Sequence, residues 1–541
     1  MNYQAKNKSN RPATNKKSWS RSRMIAVLGF ALLLMVFVWL INDLRFILYS
    51  SKLSWHGWQL KQLIPQYGQQ LLTPTEQTPQ VVGQLRQNLQ QADQHSQQLA
   101  QIYPQTKLVK KFCKAEQFYL ITELIKDANQ LAQYFLTGQH SWLALLQNTH
   151  ELRATGGFMG SYARLELDNG QLTKLEIQDI YEPDGQFTGY VEAPPGVKEY
   201  LSSGQGLRLP DANWQADFPT SAQTILSFFA HGKEQRLEGV VAVNLSLMQK
   251  LLQLTGPVYL ADYDTWVNAD NLAQVARADR QEFFPGSRAK RNFLTSLTTQ
   301  LKINLTQLEL KDQQSLLDLL AKALKQKELQ FYTNVPEIEK VFQKNQVAGV
   351  LGPKQPSDFY LYLLESNVGI NKANQAITRQ VKLRRAQSTI TIEVKFSNNN
   401  QSVVTTSSPS LPIPTQALAQ ADHLGYVNYQ RLILPTNAVI NSISYDADIQ
   451  DNVNLQLINS WDEKLITNFT NQEFKQLGFL ITLAAQHQGL LTIKLNLDKP
   501  LPQPAQVWLQ KQPGLPAVQY QLEKTGQTTT ILLDQDQLIE W

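Results

Sequence analysis

The chain has 541 residues, 42 % of them apolar, which is material for several cores and several domains. Only 18 % are charged, so glutamine and asparagine are expected to carry much of the surface. Seven of the 50 Lys and Arg fall in the first 23 residues, which hold no acid; the remainder is slightly negative, so the basic balance belongs to a tail, gives no sign of a nucleic-acid surface, and no nucleic-acid partner is expected.

Met24 to Ile41 is an uninterrupted apolar run without charge. As a helix it spans about 27 Å, close to the hydrocarbon thickness of a bilayer. Basic residues precede it and Asn42-Asp43 follow, which predicts a cytoplasmic N-terminus and an extracytoplasmic C-terminus. No small-x-small cleavage site ends the run, so it reads as an uncleaved signal-anchor in a single-pass cell-membrane protein. Cys113 is the only cysteine, which precludes an intrachain disulfide and leans towards a bacterial cell envelope; its apolar helical surroundings assign it to a core.

Residues 42–140 read as a helical stalk with breaks at Pro65, Pro74, Pro79 and Pro104. Val82, Leu85, Leu89, Ala92, Ser96 and Leu99 form one seam, and Ile121, Leu124, Ile125, Ala128, Leu131, Ala132 and Phe135 a second face. Two helices packed together explain both, with a dimerising coiled coil as the alternative. Residues 141–305 predict a layered α/β domain: a hairpin flanking Asp168-Asn169-Gly170, a helix from Pro219, a strand at Gly239–Val243, a helix ending at Thr255-Gly256, a strand at Pro257–Leu260 and a helix capped by Asn268. Residues 306–350 read as helical. Residues 351–541 read as β, since Ile390, Ile392, Val394 and Phe396, and Leu491, Ile493, Leu495 and Leu497, alternate with polar residues. Ser407 to Pro414 reads as a loop, and the whole as a sandwich-like domain.

Phosphate-loop, zinc-protease and serine-elbow motifs are missing, and the seven histidines lack ligand spacing. Two features stand out. Arg153 precedes Gly156 and Gly157 at the start of a strand, where glycines admit a ligand to the backbone and an arginine can fork onto phosphate. Its bland counterpart is a tight turn with a surface arginine. Arg277 and Arg280, then Arg288 and Arg291, are spaced to share helix faces and could clamp a pyrophosphate; by pattern alone a solvated basic face explains them better.

The stretches LLQNTHELRATGGFMGSYARLELDNG, DANWQADFPTSA, GVVAVNLSLMQKLLQLTGPVYL and SRAKRNFL, followed by LLESNVGINKAN and WLQKQPG, resemble the family of domain of unknown function 4012 over roughly 141–520. That family implies a bacterial membrane-anchored architecture without a reaction. The element order between 150 and 300 is also similar to the LytR-CpsA-Psr phosphotransferases, which move a glycopolymer from a polyprenyl-pyrophosphate carrier to the cell wall with Mg²⁺. Arg153 stands where their first arginine would, Pro183-Asp184 near their second motif, Gly256-Pro257-Val258 at their Gly-Gly-Val turn, and Arg288-Ala-Lys-Arg291-Asn at their last motif. Two positions depart: no aspartate follows Arg153, and no arginine follows Pro183.

The expectation is an anchored envelope protein whose LytR-CpsA-Psr-like α/β domain binds a polyprenyl-linked phosphate or a cell-wall glycan. Phosphotransfer would extend that role, with Arg153, Gly156, Gly157, Arg277, Arg280, Arg288 and Arg291 holding phosphate and Asp184 or Asp217 holding metal or acting as base. Asp211 is a third carboxylate on a separate loop. The alternative is a non-catalytic surface scaffold or adhesion protein acting through its β-rich domain.

Overall fold

The computed structural model describes residues 21–232, 236–278, 288–401, 424–449, 452–457, 461–524 and 527–541. For 21–39, 276–278, 288–290, 310, 448–449 and 452–457 it describes the backbone alone. The chain divides into two compact units, Met1–Ile64 with Gly83–Gln130, and Pro65–Val82 with Leu131–Trp541.

The N-terminal region is helical: Arg21–Leu72, Thr78–Ile102, Val109–Phe112 and Ala115–Phe135. The run expected to cross a membrane lies on the first helix, but most of its side chains lie outside the described residues; among those described, no helix is long and apolar enough to cross. Pro65 does not break this helix, whereas Pro74 sits in the turn after it and Pro79 in the first turn of the next. In the first unit Leu99, Tyr103 and Phe118 form a core with Phe46, Tyr49 and Leu53. Cys113 is half-buried at its edge rather than central.

The expected second seam holds only towards the end of the last helix, where Ala132 is buried; nearer its start Phe118 and Thr122 are buried, while Ile121 and Leu124 are exposed. Polar contacts take part of the packing: the buried carboxylate of Asp93 accepts from Asn129 Nδ2 and from Gln97 Nε2, each at 2.9 Å.

The second unit opens with β1 (Gln139–Asn148), β2 (Phe158–Asp168), β3 (Gln171–Asp179) and β4 (Gly239–Asn244). A short hairpin, β5 (Val258–Leu260) with β6 (Thr265–Val267), follows, then β7 (Leu329–Thr333). The five-stranded sheet runs β3-β2-β1-β4-β7, with only β1 and β4 parallel. The β2–β3 turn has positive φ at Asn169 and Gly170, the backbone that a two-residue hairpin needs. Helix Phe218–His231 packs Ile225 and Phe229 against Leu143 and Leu145 on one face. Ala144 and Val241 face Leu294 on the other. Three strands of this part escaped the sequence reading: β1, β7 and the short β6. β1 is an apolar run buried at both faces, which has no alternation to betray it. β7 lies inside the stretch read as helical and returns to the sheet beside β4.

Thirteen further strands follow: β8 (Phe359–Asn367), β9 (Ile377–Ala386), β10 (Thr389–Asn398), β11 (Tyr426–Leu434), β12 (Ala438–Ile449), β13 (Asn452–Leu457), β14 (Asp462–Thr467), β15 (Glu473–Leu483), β16 (Gln488–Leu497), β17 (Gln506–Gln510), β18 (Val518–Lys524), β19 (Gln527–Leu533) and β20 (Gln537–Glu540). They form sheets β13-β12-β16-β10-β9-β18-β19 and β14-β15-β11-β8-β17-β20 over one shared core. The predicted alternating runs pair directly, Ile392 opposite Ile493 and Val394 opposite Leu491. The loop expected at Ser407–Pro414 lies outside the described residues. Many amides expected outside are inside: Gln147, Asn213, Asn244, Gln330, Asn367, Asn428 and Gln512 are all buried.

Candidate functional site

The segment Glu151–Gly157 links β1 to β2 and leaves the sheet where parallel β1 and β4 both end, the place where open α/β sheets commonly bind ligands. Here the crevice is filled by the chain itself. Arg153 is 1 % exposed. Its Nε donates to Asp211 at 3.0 Å, Nη1 to the carbonyls of Asn367 and Leu152 at 2.6 and 3.2 Å, and Nη2 to Glu151 at 3.3 Å. Lys372 pairs with the other oxygen of Glu151. Burial raises the Asp211 carboxyl above the usual range even though the Arg153 guanidinium opposes it.

Gln512 Nε2 donates to the Arg153 carbonyl at 3.2 Å, and Gln330 Nε2 to the Thr155 carbonyl at 2.8 Å. Gly156 has φ +141°, and any side chain on it would overlap the Asn244 and Gln147 amides. A Cβ at Gly157 would overlap the Asn148 backbone, and one at Gly514, from the β-rich part, would overlap the backbone of Gly156 itself. Glycine is therefore required so that one backbone can approach another. The expected phosphate loop and its arginine form a buried joint.

The two aspartates are also committed. Asp184 accepts from Arg208 Nε at 3.1 Å and Nη2 at 2.7 Å, and from the Leu209 N–H at 2.9 Å. Asp217 caps helix Phe218–His231, accepting from Thr220 N–H and Oγ1, and also receives the N–H groups of Leu351 and Phe469. Burial raises its carboxyl, with the donated hydrogen bonds opposing. Both carboxylates are buried, Asp184 accepting three hydrogen bonds and Asp217 four, and among the described residues no group of three His, Cys, Asp or Glu could hold a metal. Among the described residues, Asp184 and Asp217 are committed to internal hydrogen-bond donors rather than arranged around the expected Mg²⁺.

Of the four spaced arginines, the side chains of Arg277, Arg280 and Arg288 lie outside the described residues. Arg291, on helix Arg288–Thr306, is partly exposed and stands 3.6 Å from Glu182. Sequence reasoning also missed Lys511, which burial pushes down to about 8. Its Nζ donates to the carbonyls of Gln326 and Gln512, so it ties the turn before β7 to the segment after β17.

What lies open is aromatic. Tyr259 and Trp266 face each other across the β5–β6 hairpin, 41 % and 60 % exposed, with ring centroids 5.3 Å apart. Asp264 accepts from the Tyr259 hydroxyl at 2.6 Å, and Asn271 Nδ2 donates to the Trp266 carbonyl at 2.8 Å. The two rings are thus held on a braced turn. The signal in the sequence was an alternating Val-Tyr-Leu and Thr-Trp-Val around a polar turn.

The fold and its buried joint define a mixed α/β protein with a β-rich C-terminal part. Residues 137–280 match the family model described as "Protein of unknown function (DUF4012)", which agrees with the resemblance seen in the sequence. No curated protein matches the chain. Among solved structures, protein gbs0355 from Streptococcus agalactiae is similar at 9 % identity over 39 % of this chain and 74 % of that one. The TM-score of that match is 0.24.

Proposed function

We propose that this is a membrane-anchored envelope protein that binds a cell-wall glycan without transferring it, through Tyr259 and Trp266. The observation that carries the reading is the exposed, braced aromatic pair. Aromatic faces give an apolar platform for the C–H face of a sugar, and here two rings lie side by side on a braced turn. The reading is supported by the commitment of Arg153, Asp184 and Asp217 to internal partners, which leaves no free acid or base among them. The anchor at 24–41 would hold the domain beside the wall.

The test is binding of the detergent-solubilised full chain to soluble peptidoglycan fragments, followed by tryptophan fluorescence. Trp266→Ala and Tyr259→Ala are expected to weaken binding at least tenfold while leaving the melting midpoint near that of the parent. Unchanged affinity in both variants would remove the platform from the site.

A second reading, a LytR-CpsA-Psr-like domain that binds polyprenyl-linked phosphate, retains one favourable observation. Arg291 is partly exposed on a helix whose first residue is Arg288. Stabilisation by a polyprenyl pyrophosphate that disappears in Arg288→Ala/Arg291→Ala would favour it; no stabilisation in the parent would leave the glycan reading alone.

A further inference from the structure

Asp43 follows the end of the apolar run by two residues, or about 3 Å along a helix. Its buried carboxylate receives the backbone N–H groups of Lys107, Leu108 and Val109 at 2.9–3.2 Å. Burial alone would raise this carboxyl, yet the donated hydrogen bonds prevail and hold it below its ordinary range. Asp43 therefore pins a segment more than 60 positions later to the level at which the anchor would leave the hydrocarbon. That segment, Lys107 to Lys114, reads Lys-Leu-Val-Lys-Lys-Phe-Cys-Lys, with four exposed lysines and no acid. Phe112 is 88 % exposed, the most exposed of the large apolar side chains described, and Leu108 is 39 % exposed. On the anchor helix Leu44, Ile47 and Leu48 are exposed at the same level.

We propose that Lys107–Lys114 is a second membrane contact, which inserts Phe112 and Leu108 among the headgroups of anionic phospholipids beside the anchor. The inference rests on the reading of 24–41 as a membrane anchor. The occupant is set by position and by charge. A four-residue helix reaches about 6 Å in either direction, so a loop fixed at Asp43 stays within the interfacial layer. Apolar side chains flanked by lysines are the composition that binds there, with the ammonium groups meeting lipid phosphates. The contact would stop the stalk from swivelling about its single helix.

The test uses the full chain with Cys113→Ser, reconstituted in phosphatidylcholine vesicles with and without phosphatidylglycerol. A solvatochromic dye is placed at Ala115→Cys, or at Gln94→Cys as the control. We expect the dye at 115 to emit further to the blue, resist aqueous iodide several-fold better and be quenched by a shallow nitroxide lipid, more strongly when phosphatidylglycerol is present. Phe112→Glu should abolish these differences; because the ring is exposed, the fold should survive, as a circular dichroism melt would record. Equal iodide access at 115 and 94 in protein that floats with the vesicles would overturn the loop contact and leave the anchor reading standing. Protein that fails to float would overturn both. Shielding at 115 that persists in detergent and grows with protein concentration would replace lipid by a second protein copy and overturn the proposal.

Discussion

Replacing Arg153 by methionine separates a clamp that waits for phosphate from a strut that holds the fold. The guanidinium is buried against two acids, Asp211 and Glu151, and two main-chain carbonyls. Methionine fills similar space but leaves Asp211 without its arginine and Glu151 with Lys372 alone. Removing one member of a buried ion pair costs about 3–5 kcal/mol, because the remaining charge is stranded. A solvent-facing arginine would cost about 0–1 kcal/mol. Urea titration of the full chain in nonionic detergent, followed by tryptophan fluorescence, should place Arg153→Met near the larger figure. Adding Asp211→Leu should recover part of the loss, since neighbours in one network do not add. Inorganic phosphate should move neither curve. A loss below about 1 kcal/mol, or a phosphate-dependent rise in the parent alone, would refute the strut and restore Arg153 as a ligand.

Two further outcomes follow from buried groups. Burial raises the Glu339 carboxyl from near 4.5 to about 7, against hydrogen bonds from Gln343 and the Thr333 N–H. Native stability from this group is therefore full below the unfolded value and is lost as pH rises through about 7. Glu339→Gln should stabilise by about 3 kcal/mol at pH 8 and by almost nothing at pH 4, and equal gains at both would refute the assignment. Gly514→Ala should lose about 2 kcal/mol or more, combining a positive φ with backbone overlap at Gly156. Gly204→Ala also has positive φ but meets nothing within 4 Å, so it should lose distinctly less in the same melts.

Local rules made much of this chain legible. Asn169-Gly170 announced its hairpin because only certain residues take positive φ, and Gly256 closed the preceding helix for the same reason. Ile390 to Phe396 declared its strand because one face is wet. β1 was hidden because both its faces are dry, and β7 because its partner β4 lies more than eighty residues earlier. The chemistry misled for a related reason. Arginine beside glycines means close approach to the backbone, and the sequence does not say whether a ligand or a distant strand approaches. Gln512 and Gly514 answer that, and nothing local links them to Arg153.

The joint also sets a clock. Arg153 and Gln512 are separated by 359 positions, so the loop cannot close until nearly the whole chain exists. At about 5–20 residues per second, a ribosome needs on the order of 18–72 seconds to supply that interval. Throughout it, the Arg153 carbonyl lacks its Gln512 partner, and the first half must wait unfinished. A stop codon anywhere before Gly514 should therefore yield a product lacking its tail and also unable to complete its beginning.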